Sequence, residues 1–82
     1  MSRRTAIPAI DVADYQRWNR PLSPRDIIEL RRALALDPTG FARLIGASPT
    51  SINRWEGGRF VPHGSHCIIM NQLRERLAAH PA

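Results

Sequence analysis

A chain of 82 residues fits a single domain and leaves no room for a deep substrate cleft. Twelve basic residues against seven acidic ones give a formal net charge of +5, and all twelve are arginine. Arginine makes bidentate contacts with phosphate and guanine, so this balance favours a nucleic-acid partner, while genomic base composition is an equally simple source of the missing lysine.

The cysteine content and the hydropathy pattern bear on the compartment. Cys67 is the single cysteine, so one chain can form neither an internal disulfide nor a four-cysteine metal site. Residues 1–10 lack a continuous apolar core of signal-peptide length, and no segment approaches the roughly 20 apolar residues of a membrane span. We therefore expect a soluble, cytoplasmic protein with no membrane partner.

The first predicted helix lies near the N-terminus. Asp11 is a suitable N-cap, and the helix should end at about Asn19, because the residue before a proline avoids the helical region. This helix would carry Val12, Tyr15 and Trp18. Its two aromatic side chains either pack within the chain or form a surface for association.

Three dipeptides each place a good N-cap before a proline at the first helical position: Ser23-Pro24, Asp37-Pro38 and Ser48-Pro49. The first opens a helix to about Ala35, with Asp26 as an acidic capping-box residue. The apolar stripe of this helix consists of Ile27, Leu30 and Leu34.

The second dipeptide opens a short helix whose buried side is predicted to consist of Phe41, Ala42, Leu44 and Ile45. Gly46 follows this helix. Because glycine tolerates positive φ, this position predicts a tight turn into the next helix.

The third dipeptide opens a helix that sorts into two faces. Ile52 and Trp55 point inward, and Gly58 suits a left-handed stop. The opposite side is polar and cationic at its far end, which suits a helix entering a DNA major groove, and consists of Pro49, Thr50, Asn53 and Arg54.

The last predicted helix follows a loop that contains Pro62. Ser65 is its predicted cap, and the helix should run to about Ala79. Its apolar residues recur at four-residue spacing: Ile69, Leu73 and Leu77.

A set of residues at mutually consistent spacings covers two helices, the turn glycine and the helix stop: Leu30-Arg31, Leu36, Phe41-Ala42, Leu44-Ile45-Gly46-Ala47-Ser48, Trp55-Glu56-Gly57-Gly58 and Pro62. On these residues, the chain from about Leu22 to Leu73 resembles the phage-repressor and Cro type of helix-turn-helix domain, the XRE family. The resemblance implies an all-α, lambda-repressor-like fold, a compact four-to-five-helix bundle. We assign residues 1–20 to an N-terminal extension and residues 21–82 to the DNA-binding domain. A narrower similarity, Pro62-His63-Gly64 before an apolar helix, is to antitoxin-type autoregulators.

The resemblance implies that Pro49, Thr50 and Arg54 contact DNA bases. Arg54 is the candidate for the O6 and N7 acceptors of guanine, in a contact that discriminates by about 1–3 kcal/mol, and Asn53 could pair with adenine. The alternatives are a phosphate contact for Arg54 and helix-start capping for Thr50 and Ser51.

Two residues depart from the family pattern. Many members carry glutamine where this chain has Pro38, and that glutamine helps to anchor a DNA phosphate. Pro49 likewise replaces a side chain able to hydrogen-bond to a base. We therefore expect fewer direct base contacts and a larger contribution from DNA shape.

The candidate phosphate contacts combine backbone amides at helix starts with cationic or hydroxyl side chains: Thr39, Arg43, Ser51 and Arg59. Asp37 serves capping but repels a phosphate that approaches the same amides, so Arg59 ranks above Thr39. In the resembling family an arginine at the position of Arg31 bridges to a glutamate at the position of Glu56. The pair of Arg31 and Glu56 is either purely structural, or Arg31 also faces a DNA phosphate.

Metal and catalytic sites are disfavoured. His63, His66 and Cys67 lack a fourth ligand nearby, so we predict no metal and no cofactor. Cys67 is interpreted as a core residue and the histidines as surface or capping residues. Ser65 beside His66 has no orienting carboxylate, so we predict that the protein is not an enzyme.

Affinity arithmetic favours a homodimer. One recognition helix barely exceeds nonspecific binding, with Kd roughly 10⁻⁴ to 10⁻⁶ M, whereas two copies read half-sites about 34 Å apart. The dimer surface is predicted in Ile68–Leu77 or around Tyr15 and Trp18. We thus predict a double-stranded-DNA-binding (auto)repressor that reads a palindromic operator with helix 48–57. The alternative is an antitoxin or other interaction module that binds a partner protein, such as a toxin, through Met1–Arg20.

Overall fold

The computed structural model describes residues 12–80 of the chain. Within this range the protein is all-α, which confirms the predicted fold class, and its five helices are α1 Val12–Trp18, α2 Pro24–Ala33, α3 Pro38–Ile45, α4 Pro49–Glu56 and α5 Ser65–Ala79. None of these helices has both the length and the apolar character that crossing a membrane requires. Asp11, the predicted cap of α1, lies outside the described residues, as does the larger part of the predicted extension 1–20.

The three helices that begin at a proline have the predicted caps. The carboxylate of Asp26 also accepts a hydrogen bond from the backbone amide of Ser23 at 3.0 Å, which completes the capping box of α2. That hydrogen bond lowers the pKa of Asp26. In each helix the N-cap side chain accepts from the amide three residues on: Ser23 from Asp26 at 3.1 Å, Asp37 from Gly40 at 2.7 Å and Ser48 from Ser51 at 3.1 Å.

The turn between α3 and α4 and the end of α4 use left-handed glycines. Gly46 has φ of 78°, and only Gly46, Ala47 and Ser48 separate the two helices, a connection typical of a helix-turn-helix. Gly58 has φ of 76°, as predicted for the stop after α4. There the amide of Arg59 donates to the carbonyl of Arg54, which closes a Schellman motif.

The core lies where α4 packs against α2 and α3 and where α5 packs against α1, α2 and α3. Burial of these apolar side chains fixes the position of α4 relative to the rest of the domain. The buried hydrophobic residues are Leu22, Ile27, Leu30, Phe41, Ala42, Ile45, Ile52, Trp55, Cys67 and Met70.

The end of α2 differs from the prediction. The helix stops at Ala33 rather than Ala35, and Leu34 is its C-cap. Ala35 has φ of 58°, and the amide of Leu36 donates to the carbonyl of Arg31 in a second Schellman motif. Sequence rules expect glycine at such a position, so an alanine there gave no signal for the stop.

Leu44 was predicted to be buried and is 52% exposed, so that prediction was wrong. At 100° per residue, Ala42 and Ile45 lie on one side of Phe41, and Leu44 lies about 60° away on the other side. The core covers only the arc from Phe41 to Ala42, and Leu44 falls outside it.

The start of α5 also differs from the prediction. Ser65 is the first residue of the helix rather than its cap, and Gly64, with φ of 65°, occupies the N-cap position without a side-chain hydrogen bond. The predicted stripe of Ile69, Leu73 and Leu77 is only partly buried. The innermost residues of the helix are instead Cys67, Met70 and Asn71, while Ile69 and Leu73 line a groove beside Trp18.

The segment 12–20 is held by α5 rather than by its own apolar stripe. Val12 and Tyr15 are exposed, and Trp18 is partly buried. The side-chain amide of Asn71 donates to the carbonyls of Trp18 at 2.6 Å and Arg20 at 2.9 Å. A buried polar side chain thus satisfies two backbone acceptors where α1 runs into α2.

Candidate nucleic-acid interface

Helix α4 turns one side into the core and leaves the other open. Ile52 and Trp55 are 0% and 7% exposed, so they anchor the helix from behind. The opposite side carries four exposed residues, here called the outer face of α4: Pro49, Thr50, Asn53 and Arg54. No part of residues 12–80 covers this face.

Arg54 projects from the outer face without a carboxylate partner in the described part of the chain. Its guanidinium carbon lies 5.3 Å from the centre of the Phe60 ring, a cation–π distance. The carbonyl of Arg54 accepts hydrogen bonds from the amides of Arg59 at 2.9 Å and Phe60 at 3.4 Å. The side chain at the end of the outer face is therefore stacked, while its N–H donors stay open to a ligand.

The predicted phosphate-contacting residues, here called the flanking group, are Thr39, Arg43, Ser51 and Arg59. Thr39 and Arg43 are exposed on α3, and Arg59 is exposed directly after α4. Ser51 is partly buried, and its hydroxyl accepts from Ser48 at 3.1 Å while its own hydrogen remains available. The group therefore offers three open side chains and one hydroxyl partly occupied by the cap of α4.

Arg31 and Glu56 lie together between α2 and α4. Nε and an Nη of Arg31 donate to the two carboxylate oxygens of Glu56 at 2.6 and 3.0 Å. The other Nη donates to the carbonyl of Leu36 at 3.1 Å. The hydrogen bond to Glu56 raises the pKa of Arg31, and burial acts in the opposite sense. All three nitrogens of the guanidinium are engaged inside the protein, which favours a scaffold role over a phosphate contact.

Ion pairs are distributed unevenly over the described residues. Five carboxylates of the described residues form ion pairs with arginines, and these pairs lie away from α3 and from the outer face of α4. The pairs are Asp14 and Glu75 with Arg17, Asp26 with Arg74, Glu29 with Arg25, and Glu56 with Arg31. Arg43, Arg54 and Arg59 have no ion pair within residues 12–80, and neither do Arg20, Arg32 and Arg76 elsewhere on the domain. Asp37 is the carboxylate left on α3, and it caps the Gly40 amide. The surface around α4 is therefore predominantly cationic and suits a polyanion.

Sequence reasoning missed two residues that contact α4 or the turn before it. Phe60 is 57% exposed and contacts Arg54, although nothing in the sequence pattern distinguishes it from an ordinary loop residue. His66 was interpreted only as a surface or capping residue. Its Nε2 lies 3.2 Å from the carbonyl of Gly46, and its ring lies 5.3 Å from the Trp55 ring, so α5 supports the turn before α4.

Cys67 and the histidines do not form a metal site in the part of the chain that the structure covers, where no three His, Cys, Asp or Glu side chains are grouped suitably. The Sγ of Cys67 donates to the carbonyl of Arg20 at 2.7 Å. Burial raises the pKa of this thiol. Cys67 is thus a core residue, in agreement with its predicted place.

The fold and this face define a small helix-turn-helix protein in which α4, the second helix of the motif, exposes a polar face that carries Arg54. No protein-family model matches the chain. The chain is similar to Antitoxin HigA-2 of Vibrio cholerae serotype O1, with 30% identity over 53 residues. The matched region is 65% of this chain and 51% of that protein, so the chain spans about half the length of this curated relative. This similarity agrees with the narrower resemblance of the sequence to antitoxins.

Proposed function

We propose that this chain is a sequence-specific double-stranded-DNA-binding regulator of transcription, of the XRE or phage-repressor and Cro type. The observation that carries the proposal is the open outer face of α4 on a helix fixed from behind by Ile52 and Trp55. A major groove about 12 Å wide admits one α-helix, and the polar side chains of such a helix can reach base edges. The cationic surroundings of α4 supply the sequence-independent attraction to phosphate.

The residues of the outer face have separate roles in this proposal. Arg54 donates to O6 and N7 of guanine, Asn53 pairs with adenine, and the methyl group of Thr50 contacts a thymine methyl. Pro49 contributes contact surface and no hydrogen bond. The flanking group binds phosphates and sets the position of α4 in the groove.

Two copies of the chain act together in this proposal. A homodimer places two α4 helices on half-sites about 34 Å apart and reads a palindromic operator. The candidate dimer surfaces remain Ile68–Leu77 and the region of Tyr15 and Trp18. Occupancy of an operator that overlaps a promoter, such as that of its own operon, excludes RNA polymerase, so the dimer represses transcription.

A gel-shift series with DNA from upstream of the gene, run across salt concentrations against scrambled competitor, tests this proposal. Arg54→Ala should remove preference for the specific probe, while Arg59→Ala should weaken binding to both probes and reduce the salt slope by about one. Arg32→Ala removes the same charge from an exposed position on α2, outside the outer face, the flanking group and the candidate dimer surfaces, and is the matched control. Equal retention of both probes by the unmodified protein would contradict the proposal.

The relative that is an antitoxin supports a second candidate, binding of a partner protein such as a toxin through Met1–Arg20. Val12 and Tyr15 are 68% and 50% exposed on α1, so both side chains are free for contact. Deletion of the segment is a poor test, because Asn71 hydrogen-bonds to its backbone. Val12→Asp with Tyr15→Asp should instead abolish a co-purifying complex and leave DNA binding intact. A complex that survives both changes would count against this candidate.

A further inference from the structure

Phe60 is a large apolar side chain that the core does not use. It is 57% exposed, and it follows the left-handed turn at Gly58. Its backbone amide and that of Arg59 both donate to the carbonyl of Arg54. The Schellman motif that ends α4 therefore returns the chain to Arg54 and places the Phe60 ring beside it.

The contact between the two side chains is a stack of a cation on an aromatic ring. The guanidinium carbon of Arg54 lies 5.3 Å from the ring centre of Phe60, within the range of a cation–π interaction. A stacked guanidinium keeps its N–H donors at its edge, where a bidentate acceptor can bind. Within residues 12–80 no carboxylate or carbonyl competes for those donors.

We infer that Phe60 is a positioning residue that holds Arg54 in the orientation from which it binds guanine, and this rests on the proposed function. An unrestrained arginine samples many rotamers, and ordering them opposes binding. Restraint by the ring before binding reduces that loss. Phe60 thereby sets sequence preference without touching a base itself.

The exposure of Phe60 makes this inference testable without unfolding the domain. The loop is anchored next to it by Pro62, which is buried. Phe60→Leu keeps an apolar side chain and removes the aromatic face, whereas Phe60→Tyr keeps that face. Val61→Ala, at a neighbouring side chain that is 60% exposed, is the matched control.

The first measurement uses the free protein and needs no operator. A ring above the guanidinium shifts the NMR signals of the Arg54 δ and ε protons upfield. We expect Phe60→Leu to remove this shift, and Phe60→Tyr and Val61→Ala to retain it. Identical Arg54 signals in the unmodified protein and in Phe60→Leu would overturn the inference, independently of the DNA-binding results.

The second measurement uses a duplex that the unmodified protein selects from a randomised pool, compared with a scrambled duplex. Phe60→Leu should reduce the ratio of the affinities for the two duplexes about two- to fivefold, which corresponds to the free energy of an exposed cation–π contact. Phe60→Tyr should keep the ratio of the unmodified protein. In an Arg54→Ala background, Phe60→Leu should leave the affinity for the selected duplex unchanged, because the ring acts only through the arginine.

The outcomes separate the two ideas. A protein that selects no sequence from the pool would overturn the proposed function and, with it, the role of Phe60 in guanine preference. A protein that selects a sequence but keeps its full preference in Phe60→Leu would overturn the inference alone. An equal loss of affinity for the selected duplex in the presence and absence of Arg54 would do the same, since it would show that Phe60 contacts DNA directly.

Discussion

Removal of Arg31 should destabilise the domain far more than removal of an exposed arginine. In Arg31→Ala, the carboxylate of Glu56 loses two hydrogen bonds and its only ion-pair partner within residues 12–80. The two side chains of this pair are 16% and 14% exposed, so both are largely removed from solvent. Breaking a buried pair costs about 3–5 kcal/mol and an exposed one about 0–1 kcal/mol. We therefore expect a loss of about 2–4 kcal/mol.

This loss is large for a chain of 82 residues, whose free energy of unfolding should be about 4–12 kcal/mol. Urea unfolding followed by tryptophan fluorescence measures this loss, because Trp55 is buried and Trp18 is partly buried in the folded state. The midpoint should fall while the m-value stays constant, because the fold and its buried surface are retained. Added salt should change the difference little, since a nearly buried pair is weakly screened.

Arg25→Ala is the matched control for this experiment. Arg25 pairs with Glu29 at 3.5 Å, but the side chains are 86% and 67% exposed, so its removal should cost less than about 0.5 kcal/mol. Glu56→Gln should fall between the two variants, because glutamine keeps one acceptor for Arg31. Equal stability of Arg31→Ala and Arg25→Ala would refute the assignment of Arg31 as a scaffold residue.

Three further changes test local features of the fold. Gly46→Ala should destabilise by about 1 kcal/mol, because φ there is 78°, while Ala35→Gly, at φ of 58°, should change the melting temperature in the opposite direction. Ser48→Ala should cost about 1 kcal/mol in thermal unfolding, through loss of the α4 cap, and no change would show that the cap is unimportant. The hydrogen bond from the amide of Ser23 lowers the pKa of Asp26 in the folded state. The ionised Asp26 therefore stabilises the fold above its unfolded pKa of about 3.9, and this stabilisation is lost as pH falls through the lowered folded-state pKa. Asp26→Asn should therefore flatten the acid limb of the stability profile, and an unchanged limb would contradict this origin.

Local chemistry was sufficient to predict most of the architecture. The caps at Ser23, Asp37 and Ser48 and the left-handed Gly46 and Gly58 join residues no more than a few positions apart, so neighbours in sequence fix them. The 3.6-residue period likewise predicted which side of α4 would be buried. The base and phosphate roles of the outer face and the flanking group stay predictions.

Contacts between distant residues decided the rest. Asn71 binds the carbonyls of Trp18 and Arg20 about fifty positions away, and no short pattern encodes such a contact. The exposure of Leu44 and the stack of Phe60 on Arg54 depend on where the packed core ends and where a loop returns. Sequence thus determined the capping hydrogen bonds of α2, α3 and α4, whereas the stop of α2 at Ala33 and the start of α5 after Gly64 did not follow from it. Only tertiary packing decided which apolar side chains stay exposed, because burial depends on neighbours that the chain brings together by folding.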